Sequence, residues 1–299
     1  MLKSILLFNI IALINCMPIF SNKKNDIFIP DAKPEKLSDI FSFTEGPAAD
    51  EEGNVYFTDQ PNDRIYKWSV NDELSIFLEG TGRANGMYFD HDGNLISCSD
   101  MNNEIWSINK SGKSVVLVTN FENKKLNGPN DLWVDSQGGI YFTDPMYTRD
   151  YWKRNPEIQQ NGEHVYYLSP DRKTLKKVIT DLEKPNGIVG CPKNNLLYVA
   201  DIQANRTYVY TMKPDGSLSN KRLFASLGSD GMTIDEKGNI YLTGRGVTVF
   251  NKEGVQIKHI PIEADWTSNV CFGGKERNML FITASKNLYR LKMNVKGIH

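Results

Sequence analysis

The chain has 299 residues, 40% hydrophobic and 24% charged, with a net charge of −1. These are the proportions of an ordinary soluble globular protein, and the length suits either two domains or one closed β architecture. No basic stripe or Lys/Arg block stands out, so the electrostatic footprint of a nucleic-acid binder is absent.

The opening stretch, MLKSILLFNIIALINCMPIFSNKKND, carries one early lysine and an apolar run before it turns polar. That is a signal-peptide layout, too short and too early for a membrane span. We expect a signal peptide over 1–21, a linker over 22–32 and an exported protein, periplasmic or extracellular. LINC, ending at Cys16, loosely resembles a bacterial lipobox, with Asn15 a poor fit, so a lipid anchor at Cys16 is the alternative to simple cleavage near Ser21. Cys98, Cys191 and Cys271 match no metal or redox spacing and read as buried small apolar residues.

An isolated strand, KLSDIFSF, occupies residues 36–43. Six segments of one pattern then follow: EGPAADEEGNVYFTD, NGMYFDHDGNLISCSD, NDLWVDSQGGIYFTD, NGIVGCPKNNLLYVAD, DGMTIDEKGNIYLTG and SNVCFGGKERNMLFITAS. Each is a short strand, a turn rich in Gly, Asn, Asp or Lys, and a strand of β-branched and aromatic residues. A third strand follows in most and a fourth in five. A period of about forty residues with four strands per unit is the signature of a β-propeller. Six units argue against a sandwich, and four strands per unit argue against a solenoid. The sixth unit ends after three strands, so the isolated strand is expected to become its outer edge, closing an all-β six-bladed ring over residues 33–299.

In a propeller the first strand of each blade lines the central channel, so the residue just before it lies at the channel mouth. Those residues are Glu45, Asn85, Asn130, Asn186, Asp230 and Ser268. All offer oxygen. Two carboxylates and three amides gathered without a cation need a counter-charge. A hard divalent ion supplies it, and calcium takes such oxygens in flexible six- to eight-fold coordination. No His/Cys cluster suits zinc, and Mg2+ prefers sites that keep several waters. Calcium is therefore the expected ion, with Zn2+, Mn2+ or Mg2+ as alternatives.

The stretches GRANGMYFDHDGNL, LNGPNDLWVDSQGGIYFTDP, KPNGIV, SDGMTIDEKGNIYLT and TSNVCFGGKERNMLFIT resemble the SMP-30/gluconolactonase/LRE family, and bacterial gluconolactonase-type members above all. The likeness spans nearly the whole mature chain. It implies a six-bladed propeller with a divalent metal, often calcium, in the channel, and hydrolysis of lactones or related esters. It matches Glu45, Asn130, Asn186 and Asp230 to metal positions, and Arg83 and Asn85 to positions that contact substrate in some members; Asp131 is set with these substrate contacts. Two departures from the family pattern bear on the substrate: Ala84 follows Arg83 where an aromatic or acidic residue is frequent, and Met146 replaces the second proline of TDPPYG.

A small lactone or ester is thus the expected partner, its carbonyl polarised by the ion and attacked by water, with Asp230 as candidate general base or as ligand alone. The second strands end at Asp59, Asp100, Asp144 and Asp201. Asp144 and Asp201 are expected to orient the groups that hold the metal, whereas Asp59 and Asp100 read equally well as turn residues. An insertion over residues 145–167 offers Tyr147 and Trp152 as pocket walls and His164 as an alternative base. The rivals are a non-catalytic binding propeller, and an organophosphate-cleaving or strictosidine-synthase-like activity on the same fold.

Overall fold

Four of the hairpins start from one turn sequence, DEEGN, DHDGN, DSQGG and DEKGN. In each the aspartate Oδ1 accepts the backbone N–H groups two and four residues on: Glu52 and Asn54 on Asp50, Asp92 and Asn94 on Asp90, Gln137 and Gly139 on Asp135, Lys237 and Asn239 on Asp235. The fourth residue is a glycine at positive φ (92°, 76°, 88° and 82°), where an L side chain is strained. Each of these glycines also donates its N–H to the aspartate carbonyl. Local chemistry alone therefore reverses the chain between the first and second strands of blades 1, 2, 3 and 5.

The computed structural model describes residues 27–154 and 158–298. The expected signal peptide and Cys16 lie outside the described residues. Blade 1 is built from Thr44–Ala49, Val55–Asp59, Arg64–Trp68 and Leu74–Glu79, and blade 2 from Ala84–Phe89, Leu95–Ser99, Glu104–Ile108 and Ser114–Val118. Blade 3 uses Leu132–Val134, Ile140–Asp144, His164–Leu168 and Leu175–Ile179. Blade 4 uses Pro185–Cys191, Leu196–Asp201, Arg206–Met212 and Leu218–Ala225. Met232–Ile234, Ile240–Gly244, Gly246–Phe250 and Gln256–Ile260 form blade 5. Blade 6 takes Thr267–Gly273, Met279–Ala284 and Asn287–Lys292, and its outer strand is Glu35–Ser38, pairing Glu35 with Arg290 and Lys36 with Tyr289.

The N-terminal strand is shorter than the 36–43 expected. The N–H groups of Ser42 and Phe43 are captured by the Asp59 carboxylate, which turns the chain inward before blade 1. Ile27 and Phe28, within the segment read as a linker, are buried against blade 6. Apolar side chains fill the spaces between neighbouring blades, with Trp133, Tyr141, Phe142 and Phe272 among the largest fully buried ones. The three described cysteines are free and buried.

Around the axis the first strands are irregular. Their registers break between Glu45 and Ala48, Ala84 and Met87, Pro185 and Ile188, and Thr267 and Asn269. The channel-mouth residues of blades 1, 2, 4 and 6 thus sit on bulges inside the strand, not ahead of it. A bulge bends the strand and re-aims a side chain. The following residue is a glycine in four blades because there is no room for Cβ. On Gly86 it would lie 2.6 Å from the Asn130 carbonyl oxygen, and on Gly187 2.7 Å from that of Asp230. On Gly46 it would overlap the Asn85 carbonyl oxygen, at a φ of +45°. Blades 3 and 6, which face each other across the ring, carry Asp131 and Asn269 instead, and Asn269 Nδ2 donates to Asp131 Oδ2 at 3.5 Å.

His164 opens the third strand of blade 3. Its Nε2 meets Asn161 Oδ1 at 3.0 Å, and burial, with Lys177 nearby, pushes its pKa down to about 4. It is neutral at neutral pH.

Two outcomes follow from these placements. Gly46→Ala is expected to destabilise the protein by about 3 kcal/mol or more, measured by urea denaturation, because positive φ and a backbone clash coincide. For His164 the folded-state pKa is depressed, so on acidification the unfolded chain takes the proton first. Its contribution is full above about pH 6.5 and is lost as pH falls toward about 4. Stability measured across that window should fall less steeply in His164→Gln than in the wild type, by up to one proton's worth of slope.

Candidate active site

The bulges of blades 1 and 4 bring Glu45 and Asn186 to the mouth of the channel, and Asp230 joins them from just ahead of the first strand of blade 5. Glu45 is buried, and its Oε2 accepts the N–H of Gly46 at 2.9 Å. Asp230 is held at both oxygens. Asn186 Nδ2 donates to Oδ1 at 2.8 Å and Trp266 Nε1 to Oδ2 at 2.6 Å. The other Asn186 amide hydrogen goes to the Tyr147 hydroxyl at 2.8 Å. Both donors of this amide are therefore spent, and its oxygen is left buried with no partner among the described residues. Asn85 is 1% exposed, and among the described residues neither its Oδ1 nor its Nδ2 has a partner.

Asn130 is fixed on the same ring by its backbone. Its N–H donates to Thr143 O at 2.9 Å, and its carbonyl accepts Gly86 N–H at 2.6 Å. The sixth position departs from the others. Ser268 Oγ donates to the Thr44 carbonyl at 2.6 Å, stitching blade 6 to blade 1.

The electrostatics of this cluster are unfavourable as it stands. Burial drives the Glu45 carboxyl well above its usual range, and the Asp230 and Asp131 charges add to that; the Gly46 N–H and Arg149 pull it back. Burial also raises Asp230, against the donors Trp266 and Asn186 and the charge of Arg149. Asp131 is pushed up to about 8 by burial. Each buried polar atom left without a partner costs about 1–3 kcal/mol. Among the described residues no group of three or more His, Cys, Asp or Glu is gathered. The assembly is instead two acids with amide oxygens, two of which, on Asn85 and Asn186, have no partner among the described residues, and this all-oxygen set could hold a hard divalent cation. Such an ion would supply the missing counter-charge and the missing partner together.

The strand-end aspartates share one task. Asp59 accepts the N–H groups of Ser42 and Phe43, Asp144 those of Asn127 and Gly128, and Asp201 those of Glu183 and Lys184. In every case these are the residues three and two places before Glu45, Asn130 or Asn186. Each carboxylate thus clamps the backbone that leads into a channel-mouth residue. Asp144 pays for its burial with a pKa raised to about 7, even with both N–H groups on it.

Asp100 breaks this pattern. In blade 2 the lead-in N–H of Arg83 goes to Asp63 Oδ1 at 2.6 Å. Asp100 is free to take the insertion: it pairs with Arg154, and with Arg149 at 3.5 Å, while Gln60 Nε2 donates to it at 3.1 Å. Arg83 Nη1 donates to Pro61 O at 2.6 Å, and its guanidinium faces the rings of Tyr151 and Trp152 at 5.3 and 5.4 Å. Trp152 therefore packs on arginine at the rim. Tyr147 lies between Arg149 and Lys184 while it accepts from Asn186, so the insertion touches the amide that touches Asp230.

Arg149, Arg154 and Trp266 escape the sequence reading. The basic run RDYWKR, set opposite a mouth lined with acids, was the available signal for the arginines. Trp266 lies two residues before Ser268, at the lead-in position the aspartates clamp elsewhere. His164 makes no contact with this cluster among the contacts described above.

Comparison with known proteins agrees with this fold. The model of the SMP-30/Gluconolactonase/LRE-like region matches residues 43–286. A gluconolactonase of Zymomonas mobilis is 28% identical, with 93% of this chain and 86% of that one aligned. A solved gluconolactonase from Xanthomonas campestris superposes with a TM-score of 0.84 at 29% identity, covering 89% of this chain and 91% of that one. The calcium-binding protein regucalcin of Agrobacterium tumefaciens shares the fold, with a TM-score of 0.74 at 16% identity over 88% of this chain and 94% of that one. Six four-stranded blades and a family match across nearly all of them make this chain a member of the SMP-30/gluconolactonase/LRE-like family.

Proposed function

We propose that the protein hydrolyses lactones or closely related carboxylic esters, with a divalent cation, calcium first, held by Glu45, Asn130, Asn186 and Asp230. The observation that carries this is the buried Glu45 carboxylate and the partly buried Asp230 beside an Asn186 oxygen that has no partner among the described residues. A binding scaffold has no use for such a costly group at its axis. Relatives described as a gluconolactonase and as a lactonase, the latter in Staphylococcus haemolyticus, support the same class. They favour a carbon ester over a phosphorus one.

When bound, the cation acts as a Lewis acid toward the substrate carbonyl. The chain's own residues do the rest. Asp230 accepts the proton of the attacking water; the C–O bond of the lactone ring breaks, and the ring oxygen takes up a proton to give a hydroxy acid. Trp266 and Asn186 hold both Asp230 oxygens, so the carboxylate cannot rotate away from its task. Asn85, whose amide has no protein partner, is positioned to take a polar group of the substrate. Asp131 lies below it on the ring, and Arg83 and Trp152 shape the rim. Asp144 and Asp201 act through the backbone they clamp. Export directed by residues 1–21, with or without a lipid at Cys16, is part of the same proposal.

The test strips metal with a chelator and follows acid release from a panel of small lactones while Ca2+, Mg2+, Mn2+ or Zn2+ is restored. Activity should vanish and return, best with Ca2+; no hydrolysis with any ion sinks the proposal. Asp230→Asn is expected to lower kcat by about a hundredfold or more with metal still bound. Retained activity would reduce Asp230 to a ligand. Trp266→Phe removes one donor from Asp230 and should cost about tenfold in kcat with metal content unchanged.

A further inference from the structure

The channel has a second end. Below Asp131 and Asn269, away from the mouth, it widens into a cavity of about 550 Å3. That is within the range that encloses a small organic ligand. Its walls are apolar side chains from five first strands: Met87, Trp133, Ile188, Met232, Val270 and Phe272. Asp131 and Asn269 line its head and hydrogen-bond across the axis, so this cavity is a compartment distinct from the acid pair above.

The charges around it are almost all spoken for. Asp50 and Asp90 are spent on their own turns, and Glu52 accepts from Asn54. Glu51 pairs with Lys110 at 3.2 Å, and Lys67 faces the Tyr56 ring at 5.3 Å. His91 Nε2 meets the Asp135 carbonyl at 2.8 Å. Among the described residues Arg277 has neither a ring nor a carboxylate. It lines the cavity, and among the described residues it has no carboxylate partner. Its Nη1 is buried and has no acceptor among the described residues. A guanidinium nitrogen withdrawn from water without an acceptor is a cost that a carboxylate relieves, through paired charge-assisted hydrogen bonds.

We propose that this lower cavity is a second ligand site, for a monocarboxylate on an apolar, ring-containing body, with Arg277 taking the carboxylate and the first-strand side chains taking the body. A polar hydroxy acid, the product expected at the mouth, would gain nothing from such walls. The site therefore stands independently of the hydrolase reading.

The experiment titrates the full, calcium-saturated chain with 2-naphthoate and, separately, with the neutral 2-naphthylmethanol, by isothermal titration calorimetry. One equivalent of 2-naphthoate should bind, about tenfold or more tighter than the alcohol. Arg277→Gln, on a surface turn, should erase that difference and leave the alcohol's affinity unchanged. Glu45→Gln should leave naphthoate binding intact. The proposal fails if naphthoate does not bind, if it binds no better than the alcohol, if Arg277→Gln changes nothing, or if Glu45→Gln is the variant that abolishes binding. None of these readouts requires turnover, so loss of hydrolysis and loss of this site are separable.

Discussion

Crowding at the axis governs the molecule. Six first strands converge on one line, and beside Gly46, Gly86, Gly187 and Gly231 the neighbouring blade is too close for a Cβ. Glycine there lets the backbones touch, as when Gly86 N–H reaches Asn130 O at 2.6 Å. The ladder is then broken beside that glycine, and the side chain of the preceding residue is left facing the axis. Glu45, Asn85 and Asn186 are delivered by that one device. The acid pair is thus a consequence of how the ring closes, and its electrostatic cost is borne by the same packing that holds the blades together.

Symmetry supplies positions, and departures from symmetry supply function. Asp59, Asp144 and Asp201 clamp equivalent backbone, which keeps three channel-mouth residues at matched depth. Asp100 is relieved of that duty by Asp63 and serves two arginines of the insertion. Asp131 and Asn269 replace glycines in opposed blades and divide the channel in two. Ser268 gives up the axis to join the last blade to the first. Every exception falls where the ring must be shut, divided or capped.

Much of this was legible in the chain. The D-x-x-G turns announce the hairpins because their chemistry is local, and the forty-residue period announces the ring because each blade repeats one local solution. The register of the channel-mouth residues was legible for the same reason. What could not be read was non-local. Trp266 reaches Asp230 from 36 residues away in sequence, and Arg154 reaches Asp100 from 54. The N-terminal strand was overextended because alternation in KLSDIFSF does not reveal that Asp59 draws Ser42 and Phe43 out of it. Tyr147 was read as a pocket wall from its place in a long loop; its contact with Asn186 appears only once the loop is folded against blade 4.

That last contact joins the most individual part of the chain to the most repetitive. Up to Glu163 the insertion lies outside the repeated strands of the blades. Here it touches the axis through Tyr147, which is gripped by Arg149 and Lys184 and hydrogen-bonded to Asn186, which in turn holds Asp230. Arg149 also pairs with Asp100 at the end of a blade 2 strand. A change in the insertion can therefore reach the acid pair through this tyrosine and this arginine. Such an arrangement lets the rim be rebuilt for a new substrate while the acids and amides below keep their places.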